Sequence, residues 1–225
     1  MSKHFQRLKL TLIVGLSLLN CLTLDMARSA QSQTTASAVR PRVGRPIRQG
    51  QGASRGDCPQ VTVPLTALVP LTEGKTLSAH PTFWFYIPYT KSTKITVPAK
   101  FSLRDSAGNL VGHDIELSLP TTPSVIGVHL PATTTLEPMQ SYRWFFAIYC
   151  TSEDQPPISV EGSVQRLSSS LVKDPPFLDV LTALAEHRLT KPQDVALLAK
   201  WKQLLNQLNF TPSELEEMTT APLSQ

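Results

Sequence analysis

Cysteine is scarce in this chain, with three in 225 residues, too few for a disulfide-dense miniprotein. Glycine is also sparse, at 10 residues, and follows no period with the 19 prolines, which excludes a collagen-like or coiled-coil chain. Charged residues are only 17% of the chain while hydrophobic residues reach 41%, so a wholly disordered protein is excluded too. Past residue 24 no apolar run approaches the roughly 20 residues that span a bilayer. No Cys-x-x-Cys, Gly-x-Ser-x-Gly or phosphate-cradling glycine loop occurs, and no reaction can be read from the residues.

Residues 1–29 have the layout of an export signal. Lys3, Arg7 and Lys9 precede an apolar run over 10–24, and Ala27-Arg28-Ser29 offers small residues two apart for cleavage. The run is too short for a membrane anchor. Lipidation at Cys21 is the minor alternative, weakened by Asn20 before it. Export sets the expected location as periplasmic or extracellular.

Removing the signal redistributes the charge. The whole chain is +4. Residues 30–57 carry Arg40, Arg42, Arg45, Arg48 and Arg55 against Asp57, and residues 58–225 carry twelve basic against fifteen acidic residues. The basic excess therefore sits in 30–57, a Gln-, Ser-, Thr-, Gly- and Arg-rich stretch with too few apolar residues to offset ordering entropy, read as a disordered linker. A folded nucleic-acid binder would carry its basic charge on the fold, so that class is rejected.

Residues 58–167 read as seven short strands, at 61–68, 82–87, 100–105, 115–119, 126–130, 142–150 and 159–166, separated by turns at 73–75, 105–109, 120–123 and 153–157. The expectation is a mainly β fold, an antiparallel, immunoglobulin-like sandwich. Two strands are apolar on both faces. One alternates Phe83, Phe85, Ile87 with Trp84, Tyr86; the other alternates Tyr142, Trp144, Phe146, Ile148 with Arg143, Phe145, Ala147, Tyr149. Such strands need cover on both sides. Residues 168–225 supply it as a C-terminal pair of α-helices packed on the sandwich. Asp174 would cap the first, with Phe177, Val180, Leu181 and Leu184 recurring. A capping box over 190–193 would open the second, with Val195, Leu198, Trp201, Leu205 and Leu208 as one stripe. A short third turn or helix starts at Thr211-Pro212-Ser213-Glu214.

After export, Cys58 and Cys150 remain, and an oxidising compartment makes a structural disulfide between them the leading expectation. His80, His113, His129 and His187 show no metal-ligand spacing, so neither metal nor cofactor is expected. Asp114 and Glu116 share one strand face, as a glycosidase pair could, but read better as a solvated face. Trp84, Tyr86 and Tyr89 are the candidate binding residues, because exposed aromatics can stack on sugar rings; the competing reading places them in the core beneath the helices.

Several strings resemble one family. Cys58-Pro59, Leu65-Thr66-Ala67-Leu68-Val69-Pro70, His80-Pro81-Thr82-Phe83-Trp84-Phe85-Tyr86-Ile87-Pro88-Tyr89 and Tyr142-Arg143-Trp144-Phe145-Phe146 are similar to the cyanobacterial domain-of-unknown-function family 928, as are Glu161-Gly162, Leu181-Thr182-Ala183-Leu184-Ala185 and Trp201. The resemblance implies an exported cyanobacterial protein. It assigns no activity, so no catalytic residue is carried over. The expected function is a non-enzymatic binding or interaction module of the cell envelope, its partner an envelope protein or a polysaccharide. A polysaccharide module using Trp84, Tyr86 and Tyr89 is the alternative; a hydrolase assembled only by folding stands third.

Overall fold

A computed structural model describes residues 58–70, 74–91 and 99–225. The expected signal (1–29), the lipidation site Cys21 and the linker (30–57) lie outside the described residues. Nine strands are present: β1 (Thr66–Ala67), β2 (Gly74–Thr76), β3 (Thr82–Ile87), β4 (Ala99–Arg104), β5 (Ile115–Leu117), β6 (Ser124–His129), β7 (Ser141–Ile148), β8 (Ile158–Arg166) and β9 (Leu223–Ser224). Three α-helices lie between β8 and β9: α1 (Phe177–Thr190), α2 (Val195–Leu205) and α3 (Pro212–Thr220). The strands form a four-stranded sheet, β1-β3-β6-β9, and a five-stranded sheet, β2-β8-β7-β4-β5.

Both sheets are mixed, which corrects the antiparallel expectation. β2 runs parallel to β8 and β9 parallel to β6, while the other neighbours are antiparallel. Both parallel strands are short edge pieces. Gly74 and Lys75 had read as a turn; they begin β2, aligned with Val164 and Gln165. β9 is two residues long, below the length at which alternation is visible.

The two sheets share one core. Phe83, Phe85 and Ile87 point from β3 toward Phe101 of β4 and Trp144 and Phe146 of β7. The Phe85 and Phe146 rings stack with centroids 4.4 Å apart, and Phe83 meets Phe101 at 4.8 Å. The alternate residues of β3, Trp84 and Tyr86, enter a second core with Leu181 and Ala185 of α1, Trp201, Leu204 and Leu205 of α2, and Met218 of α3. β3 is thus buried on both faces, as its composition requires. β7 is not. Its Tyr142, Trp144, Phe146 and Ile148 are buried, while Arg143 is exposed and Phe145 and Ala147 are half-buried. The helices cover the outer side of the four-stranded sheet, and α1 also meets the five-stranded sheet at its β2 edge, where Leu178 lies beside Gly74.

Both strand indoles have a glycine opposite them on the next strand. Trp84 aligns with Gly127 and Trp144 with Gly162. A Cβ added at Gly162 would lie 2.3 Å from Trp144 Cζ2, and one at Gly127 would lie 2.9 Å from the Trp84 ring. The glycines are where the indoles lie against the strand.

Helix starts differ from expectation in their caps. α1 begins after Pro176 with no side-chain cap, so Asp174 does not cap it. Asp179 in its first turn accepts hydrogen bonds from Thr76 Oγ1 and from Leu77 N (2.8 Å), tying α1 to the end of β2. α2 is capped by Asp194, which accepts from Ala196 N and Leu197 N, rather than by a box at 190–193. Thr190 instead closes α1, donating to His187 O. The buried stripe of α2 is Trp201, Leu204 and Leu205, followed by Leu208; the three-residue steps from Val195 to Leu198 to Trp201 drift round the helix and leave Val195 78% and Leu198 37% exposed. α3 is a full helix with a capping box between Thr211 and Glu214, so the expected pair of helices is three.

Cys58 and Cys150 are joined as a disulfide, with Cα atoms 5.0 Å apart and a sequence separation of 92. For a loop of that length the chain-entropy argument gives about 4.6 kcal/mol as an upper figure. Replacing both cysteines by serine is expected to lower unfolding free energy in urea by about 2–5 kcal/mol; an unchanged midpoint would show that the bond contributes nothing. Gly162→Ala is expected to cost about 1–3 kcal/mol through the Trp144 clash, and wild-type stability in this variant would contradict that packing.

Candidate functional site

The three aromatics proposed for binding present no free ring face. Trp84 is 0% exposed, Tyr86 2% and Tyr89 6%. Trp84 Nε1 donates to Thr182 Oγ1 of α1 at 3.1 Å. The Tyr86 hydroxyl donates to Glu217 Oε2 of α3 at 3.0 Å. Tyr89 sits in the inter-sheet core, where burial raises its hydroxyl pKa. The expectation of exposed stacking platforms is therefore corrected. Alternation correctly put Trp84 and Tyr86 on one face, and that face is the seat of the helices.

Burial pushes the Tyr86 hydroxyl up to about 12, helped by its hydrogen bond to Glu217 and by that carboxylate's charge. An unfolded tyrosine ionises near 10. The unfolded chain therefore loses this proton first, and stability falls as pH rises from about 10 to about 12. Tyr86→Phe is expected to cost about 1.5–3 kcal/mol near pH 8, the range for a hydrogen bond to a charged group. Urea unfolding of both proteins from pH 8 to 11.5 should show the gap narrowing above pH 10; a gap constant with pH would contradict the link to Glu217.

The other polar candidates stand apart. His80 Nδ1 lies 3.0 Å from Thr134 O, and His129 Nδ1 lies 3.1 Å from Thr82 Oγ1. Among the described residues no group of three His, Cys, Asp or Glu is placed to hold a metal ion. Asp114 and Glu116 are exposed at the β5 edge. Asp114 accepts from Ser102 Oγ at 2.7 Å, and Glu116 is aligned with Lys100. Both carboxylates belong to the outer face of the five-stranded sheet.

A groove of about 480 Å³ lies between α1 and α2. Val180, Ala183, Leu184 and Leu204 give it an apolar floor, and His187 and Lys200 are polar lining residues.

The outer side of the five-stranded sheet, where Lys75, Arg104, Arg143 and Glu116 are exposed, is the second candidate surface. Strand register arranges it in rows. Lys75, Gln165 and Ser141 make the first row; Ser163, Arg143 and Arg104 the second; Glu161, Phe145 and Ser102 the third; Ser159, Ala147, Lys100 and Glu116 the fourth. Phe145 is the aromatic of this grid. The Arg143 guanidinium sits over its ring, 5.3 Å from the centroid, and bonds Glu161 Oε2 at 3.2 Å. Lys100 reaches Glu153 at 3.7 Å. Such a face combines an apolar ring, arginine donors and a ring of hydroxyl and amide groups, suited to a ligand with both apolar and polar edges. The sequence had displayed these residues as the second face of β7, but as one awaiting cover.

A family model described as Domain of Unknown Function (DUF928) matches residues 50–174, more than half of the chain. The chain belongs to this family. No curated protein and no solved structure matches it. The DUF928 match takes in β1 to β8 and ends before α1. The exposed sheet face lies wholly inside it, and the α1–α2 groove, lined by residues from Pro175 to Gln207, lies outside.

Proposed function

We propose that this DUF928 protein is an exported, non-catalytic binding module of the cell envelope, a β-sandwich that holds a polysaccharide on the outer face of its five-stranded sheet. The observation that carries the reading is Phe145 under the Arg143 guanidinium, central on an open sheet and bordered by Ser102, Glu161 and Ser163. A pyranose has an apolar C–H face and a polar edge. Ala147 and the part of the half-buried Phe145 ring that the Arg143 guanidinium leaves uncovered suit the first, and the serines and arginine donors suit the second. A function common to the family would have to reside within residues 50–174, which favours the sheet face over the groove.

Export is supported by the charge and hydropathy of residues 1–29 and by the Cys58–Cys150 bond, which suits an oxidising compartment. Among the described residues no helix is long and apolar enough to cross a membrane. A protein partner is the second reading, favoured by the exposed Val195 and Leu198 at the start of α2.

Affinity electrophoresis of residues 30–225 through gels containing neutral and acidic polysaccharides tests the first reading. At least one polysaccharide should retard the protein, and Phe145→Ala should bind it about tenfold more weakly, equivalent to about 1.4 kcal/mol. No retardation by any of them, or full binding by Phe145→Ala, would contradict it.

A further inference from the structure

Arg104 and Arg143 stand directly opposite each other on β4 and β7. Like charges in directly opposed positions repel, and nothing in sheet pairing favours them. Their local partners leave most of both guanidiniums unused. Arg104 Nη1 donates to Gly108 O at 2.9 Å, and Arg143 Nη2 to Glu161 Oε2 at 3.2 Å. Each guanidinium has five N–H donors, and both side chains are exposed. On the face itself, one row from Arg104, Asp114 accepts from Ser102 Oγ at 2.7 Å; Asp105, next to Arg104 in sequence, has its oxygens taken by its own turn. They accept from Ala107 N, Asn109 N and Asn109 Nδ2, and the Asn109 hydrogen bonds chiefly hold its pKa below the usual range. Lys75 adds a third cation one row further on, beside Gln165. This end of the face is basic, although residues 58–225 as a whole are net acidic.

From this we infer that the ligand is an acidic polysaccharide, whose sugar carboxylate is gripped by Arg104 and Arg143 while its pyranose ring rests beside the Arg143 guanidinium, against Ala147 and the uncovered part of Phe145. The inference rests on the polysaccharide reading above and narrows it to a charge class. The guanidinium row is one step of two residues from the Phe145 row, about 7 Å along the strand. An arginine side chain spans that distance, so ring and carboxylate can be met together. The planar fork of a guanidinium matches the two oxygens of a carboxylate, and a pair of forks can hold it from two sides.

Polygalacturonate and its fully methyl-esterified form share one backbone and differ only in charge. The full mature chain should bind the acid at least tenfold tighter than the ester, and the preference should shrink as salt rises. Arg104→Gln/Arg143→Gln should abolish the preference while melting with the wild type, since both side chains are on the surface. The single Arg104→Gln, which leaves the Arg143–Glu161 pair intact, should lose part of it. Equal binding of acid and ester by the wild type would overturn the inference while leaving a neutral-glycan reading standing. Dextran sulfate bound as tightly as polygalacturonate would also overturn it, by showing attraction to any polyanion. Failure to bind acidic and neutral polymers alike would end the polysaccharide reading itself.

Discussion

Trp84 and Phe85 are neighbours in sequence and belong to different cores. Phe85 stacks on Phe146 between the sheets; Trp84 lies under α1 and α2. Because β3 lies between β1 and β6 and is apolar on both sides, it cannot face water on either. The rest of the architecture answers that constraint. The five-stranded sheet covers one side. The polypeptide then returns over the other with three helices and finishes as β9 on the edge of the same sheet. Three directional contacts fix the return: Trp84 to Thr182, Tyr86 to Glu217, and Trp201 Nε1 to Met218 O at 3.3 Å. Replacing such an indole by alanine costs about 3–5 kcal/mol in general. The hydrogen bonds add the aim that apolar burial lacks.

Seating the helices on β3 decides which sheet face is left exposed. With them seated on the four-stranded sheet, the opposite side of the five-stranded sheet stays open to solvent. Its composition agrees. Lys75, Arg104, Arg143 and Glu116 are exposed there, and Phe145 is half-buried. Arg188 marks the other extreme. It is buried at the end of α1 with its guanidinium 5.2 Å from the Trp201 ring, and desolvation lowers its pKa. One cation serves the helical core as a cap over an indole, and the others remain available on the sheet.

Much of this was legible in the sequence. Period-two alternation located most of β3 to β8; all but β5 run long enough to show it, and β5, three residues long, falls within the longer expected run at 115–119. Cys58 and Cys150 were paired on compartment chemistry, and the structure joins them. β2 and β9 escaped, being three and two residues long and held by parallel edge pairing that leaves no local signal. Trp84 and Tyr86 were expected at an exposed face, and lie under the helices, for a plainer reason. β3 and β7 both look apolar on two sides, and composition cannot tell which one the helices will cover. The residue that separates them is Arg143, a cation in the middle of the second face of β7, where β3 carries only Trp84 and Tyr86. In α2 the expected stripe stepped by three residues twice from Val195, which drifts off one face; the buried face holds Leu204 and leaves Val195 outside.

The central claim is that the helices and β3 form one cooperative structure. Native-state hydrogen exchange measures this directly, since amides that open together share one opening free energy. The account predicts that the amides of β3 and β6 and those in the middle of α1 and α2 exchange with the same free energy, equal to that of global unfolding. Helices that open several kcal/mol more easily, while β3 keeps its full protection, would contradict it.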